Sequence, residues 1–286
     1  MTNNLTKAAT LALPLTLAAL PAFADGHAGT AGYALANDGA TLVVMASIAA
    51  PGEIETFDLA TPLHGLAYRP VTGELYGFTN GMVVTINPMT GEQTDLGATF
   101  ADDAMTAGDA VAFDFNNAID AVRAVGSDGA NLVYFPMDFG DNDERANSVL
   151  RFTDTFYSDG DMNADFTPEI FANAYTNAIA GQTAAGTAQF ALDATTNSLV
   201  ALANNAGELT SVAFLELDGS AVDLSPMGGF DIISPEEGTD AAYAILQMDG
   251  ADTAGLYAVN LETAELTMLA DLGMGGFTGF AVAPAM

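Results

Sequence analysis

An all-β fold built from repeated four-stranded units is what this 286-residue sequence predicts, on three observations. The first is a cadence that recurs near both ends. Gly65-Leu66-Ala67-Tyr68-Arg69-Pro70 returns as Gly279-Phe280-Ala281-Val282-Ala283-Pro284, and one residue longer as Gly229-Phe230-Asp231-Ile232-Ile233-Ser234-Pro235. Internal repeats at tens of residues mark solenoids, propellers and arrays. The second is the patterning: apolar residues alternate or cluster over short runs bounded by Gly, Asn, Asp and Pro, which are strand and turn signals. The third is a half-repeat stranded at the C-terminus, which points to a ring closed by its two ends.

The clearest unit runs from Leu63 to Gly97. Leu63–Arg69 reads as a strand, Pro70-Val71-Thr72-Gly73 as a turn, and Glu74–Thr79 as a second strand. Asn80-Gly81 is a two-residue hairpin signal. Met82–Asn87 and Glu92–Leu96 follow as strands three and four. Four antiparallel strands in this length make one propeller blade. A second blade begins at Val111–Asn116 and continues through Ile119–Val125 and Asn131–Phe135. A third uses Ile170–Asn177, Ala188–Leu192, Leu199–Leu202 and Glu208–Phe214. A fourth uses Gly229–Pro235, Ala241–Gln247, Gly255–Asn260 and Leu266–Leu272. Two fragments remain: an inner strand at Phe277–Pro284 with no blade after it, and three strands at Gly32–Ala36, Thr41–Ile48 and Ile54–Leu59 with no inner strand before them. Joined, they complete a fifth blade. The sequence therefore predicts a five-bladed propeller in which residues 276–286 pair near Gly32–Ala36, burying Phe277, Phe280 and Val282. A six-bladed alternative needs another blade within residues 138–169, which are acidic and turn-rich.

Ahead of this domain, residues 1–24 read as a secretory signal peptide: Lys7, an apolar stretch from Ala8 to Leu20, and Ala22-Phe23-Ala24 before Asp25. The expected mature protein, residues 25–286, is one exported domain, periplasmic or extracellular. No later run reaches the roughly 18 apolar residues of a membrane helix, so no membrane insertion is expected. That portion sets 37 acidic residues against four arginines, with no lysine and no cysteine. Such a balance argues against nucleic acid, anionic lipid and phosphate as partners. It also removes Schiff-base and thiol chemistry. The expected partner is a small molecule, a glycan or a protein, and the expected state is a monomer.

The densest polar block is Phe113-Asp114-Phe115-Asn116-Asn117-Ala118-Ile119-Asp120-Ala121-Val122-Arg123, followed by Asn131-Leu132; Ala174-Tyr175-Thr176-Asn177 comes later. Asp114 and Asn116 share one face of an inner strand. A carboxylate packed between blades must be paired or strongly hydrogen-bonded, so Arg123 is expected to bond Asp114 or Asp120. Asp114, Asn116, Asp120, Arg123, Asn131, Tyr175 and Asn177 form the expected binding or structural cluster. Calcium is the one cofactor the sequence suggests: Asp159, Asp161, Asn163 and Asp165 alternate as in the first half of a calcium loop. Ala164 stands where such a loop has Gly, and Ile170 where it ends in Glu. No Gly-x-Ser-x-Gly occurs, and His64 reads as a packed or surface histidine.

The polar blocks resemble the hallmark of a secreted bacterial family, domain of unknown function 4394. Its members carry Phe-Asp-Phe-Asn-Pro, Asp-x-x-Arg and Gly-x-Asn-Leu-Arg, then Gly-Asp-x-Asn and Ala-Tyr-Thr-Asn. Asn117 replaces the family's Pro, and Val133 its Arg. The resemblance covers roughly residues 60–275 and implies an exported, propeller-like protein without an assigned activity. The functional expectation is a non-enzymatic binding or structural module. The alternative is a calcium-dependent propeller hydrolase or lactonase with Asp114, Asn116, Asn177 and Asp231 around a central metal.

Overall fold

The computed structural model describes residues 29–108 and 110–284; the expected signal peptide and its cleavage point lie outside them. Five radial sheets surround one axis. The first blade's outer strands are β1 (Thr30–Ala36), β2 (Thr41–Met45) and β3 (Ile54–Asp58). The second blade is β4 (Gly65–Arg69), β5 (Glu74–Thr79), β6 (Met82–Ile86) and β7 (Gln93–Asp95). A short β8 (Thr99–Phe100) leads to the third: β9 (Val111–Asn116), β10 (Ala121–Gly126), β11 (Asn131–Phe135) and β12 (Ser148–Arg151). β13 (Phe156–Tyr157) leads to the fourth: β14 (Ile170–Tyr175), β15 (Gln189–Asp193), β16 (Ser198–Leu202) and β17 (Glu208–Phe214). β18 (Glu216–Leu217) and β19 (Ser220–Ala221) lead to the fifth: β20 (Leu224–Glu236), β21 (Thr239–Met248), β22 (Ala254–Val259) and β23 (Glu265–Asp271). Last comes β24 (Gly279–Pro284).

β24 is the innermost strand of the first blade. It pairs antiparallel with β1, from Thr30 opposite Pro284 to Leu35 opposite Gly279. The ring is thus closed within one sheet, as the stranded half-repeat predicts. Phe277, Phe280 and Val282 are buried with Tyr243, Ile245 and Leu256 between the fifth and first blades. Residues 138–169 hold no sixth blade: Ser148–Arg151 is the outer strand of the third. In the third, fourth and fifth blades the incoming linker adds a short parallel strand to the outer edge: β8 on β12, β13 on β17, and β18 on β23. An outer strand would otherwise offer unpaired backbone groups to other chains.

The inner strands β24, β4, β9, β14 and β20 stand side by side around the axis, and the cadence shows why. Its leading glycine sits where neighbouring strands nearly touch. A Cβ on Gly65 would lie 2.7 Å from the Phe113 Cβ, and one on Gly229 would collide with the Phe280 backbone. Counted from the position of the cadence's leading glycine, the second residues, Leu66, Phe113, Asn173, Phe230 and Phe280, line one level of the axis. The third are Ala67, Asp114, Ala174, Asp231 and Ala281; the fourth are Tyr68, Phe115, Tyr175, Ile232 and Val282. Four interfaces between blades are filled by apolar clusters. The third–fourth interface adds buried Asp114, Arg123, Asn131, Asn173 and Gln189 to a smaller one.

Candidate functional site

The two ends of the central channel differ. Where the inner strands finish, segment 177–188 lies across the mouth. Gly181 N–H bonds Pro70 O of the second blade, Ala184 N–H bonds Asn117 O of the third, and Ser234 N–H of the fifth bonds Ala178 O. Side chains reinforce it. Asn117 Nδ2 donates to Asn177 O and Gln182 O. Asn116 Oδ1 accepts from Thr187 Oγ1 at 2.9 Å. Asn177, in the left-handed region at φ 60°, donates to Gly186 O and accepts from Gly238 N–H. Asn116 and Asn177 therefore hold chain to chain.

Arg69, at the end of β4, binds Asp120 and Asp138. Only 3% of Arg69 is exposed, and Asp120 takes a left-handed turn conformation at φ 53°. The expected pairing of Arg123 with a carboxylate is corrected here. Arg123 stands opposite Asp114 in register, yet its guanidinium bonds the Tyr175 hydroxyl, Asn131 Oδ1 and Asn205 Oδ1. Asp114 is already used by backbone: its Oδ2 accepts Tyr175 N–H at 2.7 Å. Asp120 belongs to Arg69, a partner 51 residues away that spacing within the polar block does not reveal.

In the acidic loop, Asp161 accepts from Ser211 N–H, Ser211 Oγ and Asn163 N–H. Partial burial raises its pKa, but these donors hold it below the usual carboxylate range. Asn163 is buried and turns its amide nitrogen to Ser198 and Ser211; Asp159 and Asp165 are exposed. Among the described residues, no three His, Cys, Asp or Glu side chains gather closely enough to hold a metal.

Within the channel lie Asp114 and Asp231, 4% and 5% exposed. Each reaches from the third position of its cadence to the fourth-position N–H of the next inner strand. Asp114 meets Tyr175, and Asp231 Oδ2 meets Val282 N–H at 2.6 Å. Each also accepts the N–H of its own successor, Phe115 or Ile232. Two carboxylates thereby satisfy four backbone donors that point at the axis and have no strand partner there. Burial pushes the Asp231 carboxyl up to about 7, against the pull of its two N–H donors. Burial, then repulsion from Asp231, raises Asp114 well above the usual range.

The other mouth, where the inner strands begin, is open. A bowl of about 460 Å³ is lined from every blade, a volume in the range of small-molecule sites. Asp38 and Thr278 come from the first blade, His64 from the second, Ser127 from the third, Glu169 from the fourth, and Pro226 and Met227 from the fifth. Two of its lining residues, His64 and Thr278, each hold a buried atom, Nδ1 and Oγ1, with no hydrogen-bond partner in the structure. Buried polar atoms are nearly always bonded, so each of these two asks for a partner. Sequence reasoning missed this site: its polar residues are isolated positions in the short connections at this end, His64, Glu169 and Thr278 just ahead of inner strands and Asp38 and Ser127 in the turns after β1 and β10. The one signal was that His64 and Thr278 stand at the same offset, directly before Gly65 and Gly279.

A family model described as a domain of unknown function (DUF4394) matches residues 42–281. No curated protein matches the sequence. Among solved structures, an auxiliary nutrient binding protein from Bacteroides thetaiotaomicron is similar at 12% identity and TM-score 0.42, over 74% of this chain. This chain spans 55% of that protein's length. A chain of a nidogen/laminin complex is similar at 10% identity and TM-score 0.45, over 90% of this chain and 99% of that one. A Bacteroides thetaiotaomicron protein of unknown function is similar at 13% identity and TM-score 0.47, over 88% of this chain and 56% of that one. Among the described residues, no helix is long and apolar enough to cross a membrane.

Proposed function

The chain belongs to the family of domain of unknown function 4394, and we propose that this member is an exported, non-enzymatic binding module that takes a small polar ligand in the open bowl. The observation that carries the reading is a pair of unpartnered buried atoms, His64 Nδ1 and Thr278 Oγ1, on two residues that line a cavity reached from all five blades. A hydroxyl-rich ligand supplies both a donor and an acceptor to such a pair. Asp38 and Glu169 on the walls add acceptors for hydroxyl groups and discriminate against anions. A sugar or short glycan has this chemistry. Export rests on the leader sequence.

Thermal unfolding with a panel of neutral mono- and oligosaccharides tests the proposal. A ligand present at 100 times its dissociation constant stabilises by about 2.7 kcal/mol. The expected result is a saturable rise in melting temperature with at least one sugar, lost in Thr278→Val and His64→Ala. A panel that shifts nothing, or a shift that both variants retain, removes the reading.

A further inference from the structure

The outer rims of the blades are not finished alike, and the ligand reading makes no use of them. In the third, fourth and fifth blades a linker strand covers the outer strand. The linkers into the first and second blades, residues 272–278 and 59–64, add no strand. In the second blade the outer strand β7 is only Gln93–Asp95, and the Gln93 side chain exchanges hydrogen bonds with the Thr61 N–H and C=O of the linker. The first blade has neither device. Its β3 runs through Ile54–Asp58 without a bulge, and four of its five residues are exposed. Among the described residues, no strand pairs with its outer edge.

Register shows which backbone groups that edge offers. Leu59 N–H bonds Ala40 O, and opposed residues of an antiparallel pair alternate between bonded and non-bonded positions. Phe57 and Glu55 therefore bond Leu42 and Val44 of β2. Ile54, Thr56 and Asp58 aim their N–H and C=O groups away from the sheet. Proline, bulges, lysine, very short strands and covering loops protect such edges in other proteins. Here the acidic side chains are the one protection.

A second observation lies beside the strand. A groove of about 460 Å³ is lined by Tyr33 and Val44, by Pro88 and Met89 of the second blade, and by Glu53 and Glu55. Glu55 stands opposite Val44, and Val44 packs between the first and second blades, so this face of β3 looks toward Pro88 and Met89. Met89 is 69% exposed and Ile54 42%. Glu53, Glu55 and Asp58 enter none of the described ion pairs.

We propose that β3 is a docking edge for an extended, basic segment of another protein. The segment pairs its backbone with Ile54, Thr56 and Asp58, seats an apolar side chain against Pro88 and Met89, and meets Glu53 and Glu55 with arginine or lysine. In strand addition of this kind main-chain bonds give affinity, and pockets for alternate side chains give specificity. Charge names the occupant: three carboxylates without a cation along one short strand complement a basic segment. A second copy would set the same carboxylates against each other, and like charges facing across strands are destabilising. The proposal is independent of the bowl.

The experiment uses the full exported chain and a short capped peptide alternating valine and arginine, at physiological salt, with calorimetry reading affinity and stoichiometry. The expected result is saturable binding of one peptide per chain. The same peptide N-methylated at every residue keeps its charge and loses its N–H donors; it should bind about tenfold more weakly or worse, equivalent to about 1.4 kcal/mol. Thr56→Pro removes an outward N–H without touching a bond to β2, and should also weaken binding. Glu53→Gln combined with Glu55→Gln should weaken it and flatten its salt dependence. His64→Ala should leave it intact. If Thr56→Pro fails to fold, the N-methylated peptide decides alone. The proposal is overturned if the peptide does not bind, if His64→Ala abolishes binding, or if the double glutamine variant binds like wild type. It is equally overturned if the N-methylated peptide or Thr56→Pro matches the original pair, which would mean charge attraction alone. A dimer formed through this edge, or binding that appears only when residues 25–28 are removed, would overturn it by making a second copy or the chain's own start the occupant.

Discussion

The two mouths of the channel are made from the same five inner strands, yet one is tied shut and the other is left open. At the closed end, Asn116, Asn117, Asn177 and the 177–188 segment use side chain and backbone on each other, and Arg69 adds a buried ion-pair network. At the open end, His64 and Thr278 keep buried atoms without partners. A dense run of Asp, Asn and Arg in a sequence therefore need not mark a ligand site. Here it marks the part of the ring that must satisfy the most backbone, while the candidate site is made of isolated residues.

The comparison breaks most completely if the ring cannot close. Deleting residues 276–286 removes Phe277, Phe280 and Val282, each nearly fully buried. Burial of each contributes roughly 1.5–3 kcal/mol, against a whole-domain stability of about 5–15 kcal/mol. The truncated protein is expected to lose cooperative unfolding or to aggregate through the freed β1 edge, as read by calorimetry and gel filtration. A monomer melting near the wild-type temperature would refute the closure.

At the tied end alone, Arg69→Met should cost about 3 kcal/mol, because it strands the Asp120 carboxylate beside a buried guanidinium site. Asp138→Asn should cost less than about 1 kcal/mol, since Asp138 is largely exposed and screened. Urea denaturation of both variants measures the difference. Equal midpoints would show that burial does not set the strength of this network.

Between the mouths, the raised carboxyl groups predict a pH response of definite sign. An unfolded Asp titrates near 3.9, whereas Asp231 in the channel is held up to about 7. Between those values the folded state binds more protons than the unfolded chain. Stability from Asp231 is therefore greatest below about pH 4, falls as pH rises toward 7, and levels above it. In chelator, the difference in melting temperature between wild type and Asp231→Asn should change across that window and not above it. A difference independent of pH would place the carboxylates in water.

The smallest effect is expected at the open end. Thr278→Val replaces a hydroxyl without a partner by an apolar group of similar shape, which is neutral or stabilising. Its urea midpoint should match or exceed the wild type's, while sugar-induced stabilisation disappears. A loss of more than about 1 kcal/mol would show that the hydroxyl serves the fold.

Strand order was legible almost throughout, because turn chemistry and period-two alternation act locally. Glu74–Thr79 and Glu208–Phe214 match the structure residue for residue. Asn80-Gly81 forms the expected hairpin, with Gly81 at φ 81°. Ser148–Arg151 was not legible, since an outer strand buries little and carries a weak apolar pattern. The polar cluster was legible as a set of residues and misread in its bonds. Cross-strand register does place Arg123 opposite Asp114, but the guanidinium reaches across to the fourth blade.

The sequence by itself determined the repeat, the five blades and the closing strand, since each follows from local alternation and from a cadence that only a ring completes. It also determined the charge that argues against anionic partners. Tertiary structure decided which residues meet. Arg69 with Asp120, Asp114 with Tyr175, and the gathering of His64, Thr278, Glu169 and Asp38 at one mouth all join blades that are far apart in the chain. The physical reason is that a propeller sums one small local unit around an axis. Pattern fixes the unit, whereas contacts at the axis depend on how five units are turned against each other.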